Sequence, residues 1–283
     1  MKVGGRAGVL LLPAMLALGV LFVAPQALMF EASLGRRSAY GGVVHEWSAA
    51  NYIRAAEPLY LEILGRSLVL ALATTAVCLV LGYPMAYWLA RRVPRRWRSA
   101  LLVLVILPFW TSFLVRMYAW MFILRNEGIL NAALSALGLP AVNLLYTDAG
   151  VLLGQVYGEL PFMILPLFVS LERLDDALLD AAADLGASPA AVLRRVVLPL
   201  SAPGVVAGSL LVFVPSLGAY LAPDLLGGAR TAYVGNLVQS QFAVARDIPF
   251  GAALSFVLSV LVALSLLAFR RPLQRAGSTP GAA

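Results

Sequence analysis

Six runs of apolar residues, each about as long as a helix needs to cross a bilayer, dominate this chain. They cover roughly 9–30, 67–90, 100–124, 149–171, 200–222 and 251–269. About 20 residues at about 1.5 Å per residue match about 30 Å of hydrocarbon. In lipid each run must be helical, because an isolated strand would leave backbone groups unpaired. The composition agrees: 61% of the 283 residues are hydrophobic and 12% charged. Soluble domains hold about 45–50% and about 25%, so the excess apolar surface has to face lipid. The expected fold is an all-α membrane protein with six transmembrane helices, in one transmembrane domain over residues 1–283.

The first run imitates a secretion signal, with Lys2 and Arg6 ahead of it and small residues at Ala24-Pro25-Gln26-Ala27. Its length exceeds the about 7–15 residues of a signal core, and five more runs follow. It is read as a retained helix.

The net charge of +7 raises nucleic acid as a partner, and the position of the charges removes it. Arg91, Arg92, Arg95, Arg96 and Arg98 separate runs two and three. Arg173, Arg194 and Arg195 separate runs four and five, and Arg270, Arg271 and Arg275 follow run six. The opposite loops carry the sparser set Arg36, Arg37, Arg54, Arg66, Arg125, Arg230 and Arg246. This is the positive-inside pattern, and it places both termini in the cytoplasm. A single Cys78 and a single His45 exclude a disulfide framework and a cysteine- or histidine-based metal cluster; His45 suits a solvated loop. The Gly/Pro/Ser-rich tail after Ala276 reads as disordered.

The most informative segment is the 28-residue loop Glu172–Pro199, ERLDDALLDAAADLGASPAAVLRRVVLP. Acidic residues crowd its first half, and a helix should begin near Asp175 or Asp176, where a short carboxylate caps free N–H groups. Leu178, Leu179, Ala182 and Leu185 recur at helical spacing. Gly186 should end that helix in the left-handed conformation. Ser188-Pro189 should open a second limb over Ala190–Val197 that stops at Leu198-Pro199. The result is a helix–glycine–helix elbow.

This elbow resembles the "EAA" loop of ABC-importer permeases: Glu-Ala-Ala, three residues, Gly, nine residues, Ile, one residue, Leu-Pro. Here the same offsets hold Asp180-Ala181-Ala182, Gly186, Val196 and Leu198-Pro199, with Asp for Glu and Val for Ile. The resemblance implies coupling helices that dock in a cleft of an ATP-binding subunit. Ala181 and Ala182 would allow close approach and Asp180 a polar contact. ATP-driven closure of that partner would rock the permease between inward- and outward-facing states. The chain has no G-x-x-x-x-G-K-[ST] phosphate loop. It is therefore expected to be a transport subunit rather than an enzyme, holding no cofactor or metal, with ATP and magnesium bound by the partner. The implied partners are two ATP-binding subunits, a second homologous permease (or a second copy of this chain), an extracytoplasmic substrate-binding protein and the lipid bilayer. The implied place is a bacterial inner membrane.

The likeness runs from about residue 60 to 270. Leu107–Trp120 (LPFWTSFLVRMYAW), Leu160–Pro166 (LPFMILP) and Pro223–Gly228 (PDLLGG) resemble permeases of the spermidine/putrescine type. A polyamine is a flexible polycation, so its path should offer carboxylates and aromatic faces. Glu159 sits near mid-depth of the fourth run, where an ionisable residue is a functional-site hypothesis. Tyr157, Trp110, Tyr118, Trp120 and Tyr220 supply aromatic faces, and Asp224 lies at the outer end of the fifth run. Two readings stay open. Arg116 and Glu159 lie at depths of about 12 and 15 Å by helical rise, so they also suit an interior ion pair, and aromatic residues near span ends also serve as interfacial anchors. Gly82, Pro84, Pro161, Pro166 and Pro215 are either packing kinks or hinges.

Other solutes, such as opines or amino acids, remain alternatives for such a permease. An ion-gradient-driven transporter is a further one, but it should show intramembrane relays and repeated halves, and it leaves the elbow unexplained. Against a membrane enzyme, no paired carboxylates, metal-ligand spacing or nucleophile–histidine set lies near a membrane face.

Overall fold

The computed structural model describes the backbone of residues 4–38, 42–228 and 231–277, and their side chains except at 4–10, 14 and 269–277. Lys2, Arg230 and the tail beyond Gly277 lie outside the described residues, as do the side chains of Arg6, Arg270, Arg271 and Arg275. The chain forms two compact units, residues 1–62 with 237–261 and residues 63–236 with 262–283.

In the first unit, α1 (Gly4–Ser33) leads to a two-residue hairpin, β1 (Arg36–Arg37) antiparallel to β2 (Val43–Val44). α2 (Ala50–Ala55) follows. Residues 11–30 of α1 carry Leu, Met, Val and Phe exposed on all sides, as a helix surrounded by lipid should. Polar contacts gather at its end. Ser33 Oγ donates to the Phe30 carbonyl (2.6 Å), and Asn51 Nδ2 donates to the carbonyls of Ser33 and Gly35 (2.8 Å each). Arg54 pairs with Asp247 at 2.9 Å and lies 3.9 Å over the ring of buried Phe250. Burial opposes the Arg54 charge, but Tyr60 and Asp247 outweigh it and raise its pKa. His45, 3.2 Å from Glu31, is solvated as expected.

The second unit is built on three helices that pack side by side: α3 (Pro58–Arg91), α7 (Asp148–Glu172) and α11 (Ala202–Leu217). Leu89, Met163, Leu167, Leu171 and Val212 form the core between them. α3 starts nine residues before the expected span because Pro58 suits a first helical turn and nothing breaks the helix before lipid. Close approach rests on small residues. A Cβ on Gly208 would lie 2.8 Å from Met163 Sδ, and one on Gly204 would lie 2.7 Å from the Pro166 carbonyl. Gly204 and Gly208 are four apart on one face, the spacing that lets membrane helices touch by backbone. A second glycine row on α7, Gly154 and Gly158, receives Leu226 and Phe113. Pro84, Pro161, Pro166 and Pro215 sit inside helices that continue through them, Pro161 buried and Pro84 and Pro215 exposed, and Gly82 faces Met163 at 3.2 Å.

Two expected spans are broken. The third is not one helix over 100–124: α4 (Arg95–Ile106) tightens into a 3₁₀ turn at Leu107–Trp110, and α5 (Phe113–Leu124) departs after extended Thr111 and Ser112. The bend between Arg95–Trp110 and Phe113–Ala136 is 87°. Pro108 lacks an N–H and crowds the carbonyl four residues back, and Thr111 Oγ1 donates to the Pro108 carbonyl at 2.6 Å. The fifth begins at 202 rather than 200, after a 64° bend, and stops at 217 rather than 222.

Among the described residues, four helices are long and apolar enough to cross a membrane, or up to six if each bent pair is one span. α6 (Ile129–Ala136), α12 (Val234–Ala243) and α13 (Ile248–Gly277) are the remaining α-helices outside the elbow among the described residues, with a π-turn at Pro223–Gly227. Replacing Gly208 with Leu should force α7 and α11 apart. Thermal unfolding in detergent should show a loss of about 1–3 kcal/mol, the usual cost of overpacking. An unchanged midpoint would mean that the close approach is not required.

Candidate functional site

The elbow forms as a projecting helical pair. α8 (Asp176–Asp184) is capped by Asp175, whose Oδ1 accepts from Ala177 N at 3.0 Å. Its C-terminus closes on Gly186 at φ +80°. There Gly186 N donates to the Ala183 carbonyl (2.8 Å) and Ala187 N to the Ala182 carbonyl (3.1 Å), the paired bonds of a Schellman cap. α9 (Pro189–Val192) starts on Ser188, whose Oγ accepts from Ala191 N.

The second limb departs from expectation. It does not stop at Leu198-Pro199 but passes through a π-turn at Leu193–Val197 into α10 (Leu198–Leu200) and breaks at buried Ser201. Pro199 stands just past the junction of the π-turn with α10, where its missing N–H interrupts the ladder without ending the helix. Leu179 and Val192 pack on the core, while Leu178, Ala181 and Leu185 share the outward face of α8. Leu185 is 89% exposed, the most exposed large apolar side chain among the described residues. Asp180, Gly186, Leu198 and Pro199 are exposed and Ala182 is half-buried. No Cβ placed on Gly186 would meet another atom, so its role there is conformational.

The residues proposed for a solute path divide into two groups. Trp120 of α5 meets Tyr157 of α7 edge-on, with ring centroids 5.5 Å apart. Arg116, one turn from Trp120, lies 4.4 Å over Phe109, 5.5 Å over Phe113 and 6.0 Å from the Tyr157 ring centroid. Its Nη1 donates to the Pro108 carbonyl at 3.3 Å. The ion pair suggested by matched depths is not formed among the described residues: the bend at 107–112 supplies Arg116 with a carbonyl and aromatic faces instead. Glu159 keeps a buried Oε2 without a hydrogen-bond partner. Trp110 (86% exposed) and Tyr118 stand on outward surfaces. Tyr220 occupies the unwound segment after α11, and its carbonyl accepts from Asp224 N (2.8 Å) and Asn236 Nδ2 (3.3 Å).

Sequence reading passed over two buried polar residues that share this interface. Gln155, only 2% exposed, precedes Glu159 by one turn, and Thr74 precedes Cys78 by one turn on α3. Cys78 Sγ lies 3.7 Å from the Val156 carbonyl, which sets α3 and α7 in register there. The four-residue spacing was readable, but without the register nothing paired the two rows. At the start of α7, Tyr233 Oη donates to Asp148 Oδ1 at 2.7 Å; burial and that carboxylate together raise the phenol pKa.

Comparison with known proteins places this geometry. The family model described as "Binding-protein-dependent transport system inner membrane component" matches residues 79–275. The chain is similar to the spermidine/putrescine transport system permease protein PotB of Escherichia coli (strain K12), 43% identical over 89% of this chain and 92% of that protein. It is 41% identical to PotB of Haemophilus influenzae over 87% of each chain. Its fold resembles a chain of the bacterial alginate ABC transporter solved with an alginate pentasaccharide-bound periplasmic protein. There the TM-score is 0.76 at 17% identity, covering 96% of this chain and 94% of that one.

A valine at position 186 must adopt φ +80° with a branched Cβ. Gly186→Val should cost the α8 terminus about 1–2 kcal/mol, read as faster amide exchange across 182–187. Unchanged exchange would mean the cap does not depend on glycine.

Proposed function

The chain belongs to the binding-protein-dependent transport system inner membrane components, and from that membership we propose that it is the permease subunit of an ABC importer for a small polycation, spermidine or putrescine. The observation that carries the substrate class is the 43% identity to a spermidine/putrescine permease over nearly the full length of both chains. It is a multi-pass inner-membrane protein and a transport subunit. ATP would be bound with magnesium and hydrolysed by two partner subunits docked on the α8 face, with both termini on that same cytoplasmic side. A second homologous permease would complete the pore, and a substrate-binding protein would dock on the opposite loops. The whole chain acts as one permease domain.

The elbow supports the coupling role. Its first limb presents Leu178, Ala181 and Leu185 outward without an internal partner, and the flanking charge of Asp180 and Asp184 offers contacts to a basic cleft. The buried and unpaired Oε2 of Glu159 supports a place for it on the solute path, since a carboxylate at that depth is costly without a partner. Tyr157 and Trp120 add aromatic faces close by, and Asp224 and Tyr220 would act earlier on the same route. Trp110 and Tyr118 suit lipid or the second permease better than the solute.

In proteoliposomes holding the assembled importer, Gly186→Asp or Asp180→Lys should abolish ATP-driven spermidine uptake while membrane insertion stays normal. Wild-type uptake and ATPase activity in both variants would remove the coupling role. Glu159→Gln should lower spermidine uptake about tenfold, the effect of losing one charged contact of about 1.4 kcal/mol. Unchanged uptake would take Glu159 off the path.

A further inference from the structure

The arginines around the α3–α4 turn satisfy the positive-inside rule, and that rule asks nothing of their side chains. Yet two of them are largely buried. Arg91, at the last residue of α3, has a side chain only 11% exposed, and Arg98, in the first turn of α4, only 17%. Both point at the root of the elbow. Arg91 Nη1 donates to the Leu174 carbonyl at 3.1 Å, and its Nη2 lies 3.1 Å from Asp176 Oδ1, an ion pair off hydrogen-bond alignment. Arg98 Nη1 donates to Glu172 Oε1 at 3.3 Å while its Nε holds the Val93 carbonyl at 2.9 Å. The three residues they grip, Glu172, Leu174 and Asp176, are the end of α7, the linker and the first residue of α8.

The far end of the elbow is fastened too. Ser201, fully buried at the 64° bend, shares a hydrogen bond of 2.9 Å with Tyr83 Oη of α3. The Ser201 carbonyl accepts from Ser170 Oγ of α7 at 3.5 Å. Both ends of the elbow are therefore tied to α3 and α7, while Gly186 and the outward face of α8 stand exposed between them.

We infer that Arg91 and Arg98 are positioning residues that clamp the root of α8 to the cytoplasmic ends of spans two and three, so that a displacement of α8 is passed to α3, α4 and α7 together. This rests on the reading of α8 as the face that an ATPase moves. The physical need is plain. The covalent link from α7 to α8 is the three residues 173–175, and each free residue there adds two soft torsions. Without cross-ties, a push on α8 would be absorbed by turning that linker. A guanidinium held by a carbonyl and a carboxylate from a mostly buried stem removes that freedom, and its planar fork loses little entropy on binding. Asp176 itself stands largely in solvent, so the Leu174 carbonyl, rather than the ion pair, is the firmer grip.

The test uses the full chain without its native thiol (Cys78→Ala), spin-labelled at Arg92→Cys and Asp184→Cys. The distance distribution between labels should be narrow with Arg91 present, broaden with Arg91→Gln and narrow again in part with Arg91→Lys. Arg98→Gln and Asp176→Asn should broaden it less, and they provide readings if Arg91→Gln does not fold. In the assembled importer, Arg91→Gln should leave ATP hydrolysis standing while solute imported per ATP falls about tenfold. A distribution that stays narrow in every variant overturns the clamp. A broadened distribution with an unchanged import-to-ATP ratio overturns the transmission of movement. If the wild-type chain supports no ATP-driven import at all, the coupling reading itself fails, and the label distances still decide the clamp.

Discussion

Hydrocarbon offers no partner to a backbone N–H or C=O, and the rest of this structure follows from that constraint. Long helices are the default, and every interruption has to be covered by protein. The bend after Leu107 is covered by Thr111 and by Arg116, which donates to the exposed Pro108 carbonyl. The break at Ser201 is covered by Tyr83 and Ser170. The unwound stretch at Tyr220 is covered by Asn236 and by the turn at Pro223–Gly227. Each repair uses a polar side chain on a neighbouring helix, so each break also fixes how two helices pack.

Close packing then depends on residues with little or no side chain. Gly204 and Gly208 bring α11 against α7, while Gly154 and Gly158 admit Leu226 and Phe113 on another side of the same helix. α7 is thus the post to which the second unit is fastened. It also carries Gln155 and Glu159 inward and hands the chain directly to the elbow. A single helix therefore links the polar interior to the surface proposed to meet an ATPase.

Much of this was legible in the sequence because it depends on local chemistry. Asp175 and Gly186 bound α8 for the reasons their side chains dictate, and the apolar runs located the helices. What escaped was set by contacts distant in sequence or by a proline in an apolar run. Pro108 looked like one more apolar position, yet it splits a span by 87°. Pro199 looked like a stop, yet the π-turn before it carries the helix on to Leu200. Arg116 and Glu159 matched in depth along their helices, but depth says nothing of direction, and Arg116 turned toward the bend instead. Arg91 and Arg98 were readable as charges facing the cytoplasm; their partners near residue 174 were not, because nothing local ties the two loops together.

The coupling proposed for this chain requires that the outward face of α8 meet an ATP-binding subunit. The most direct measurement places a photo-crosslinking residue at Leu185 in native membranes and identifies its adducts by mass spectrometry. One dominant adduct with the ATPase is expected, lost when the same probe sits at outward-facing Trp110. Adducts only with lipid, or equal ATPase adducts from both positions, would contradict it.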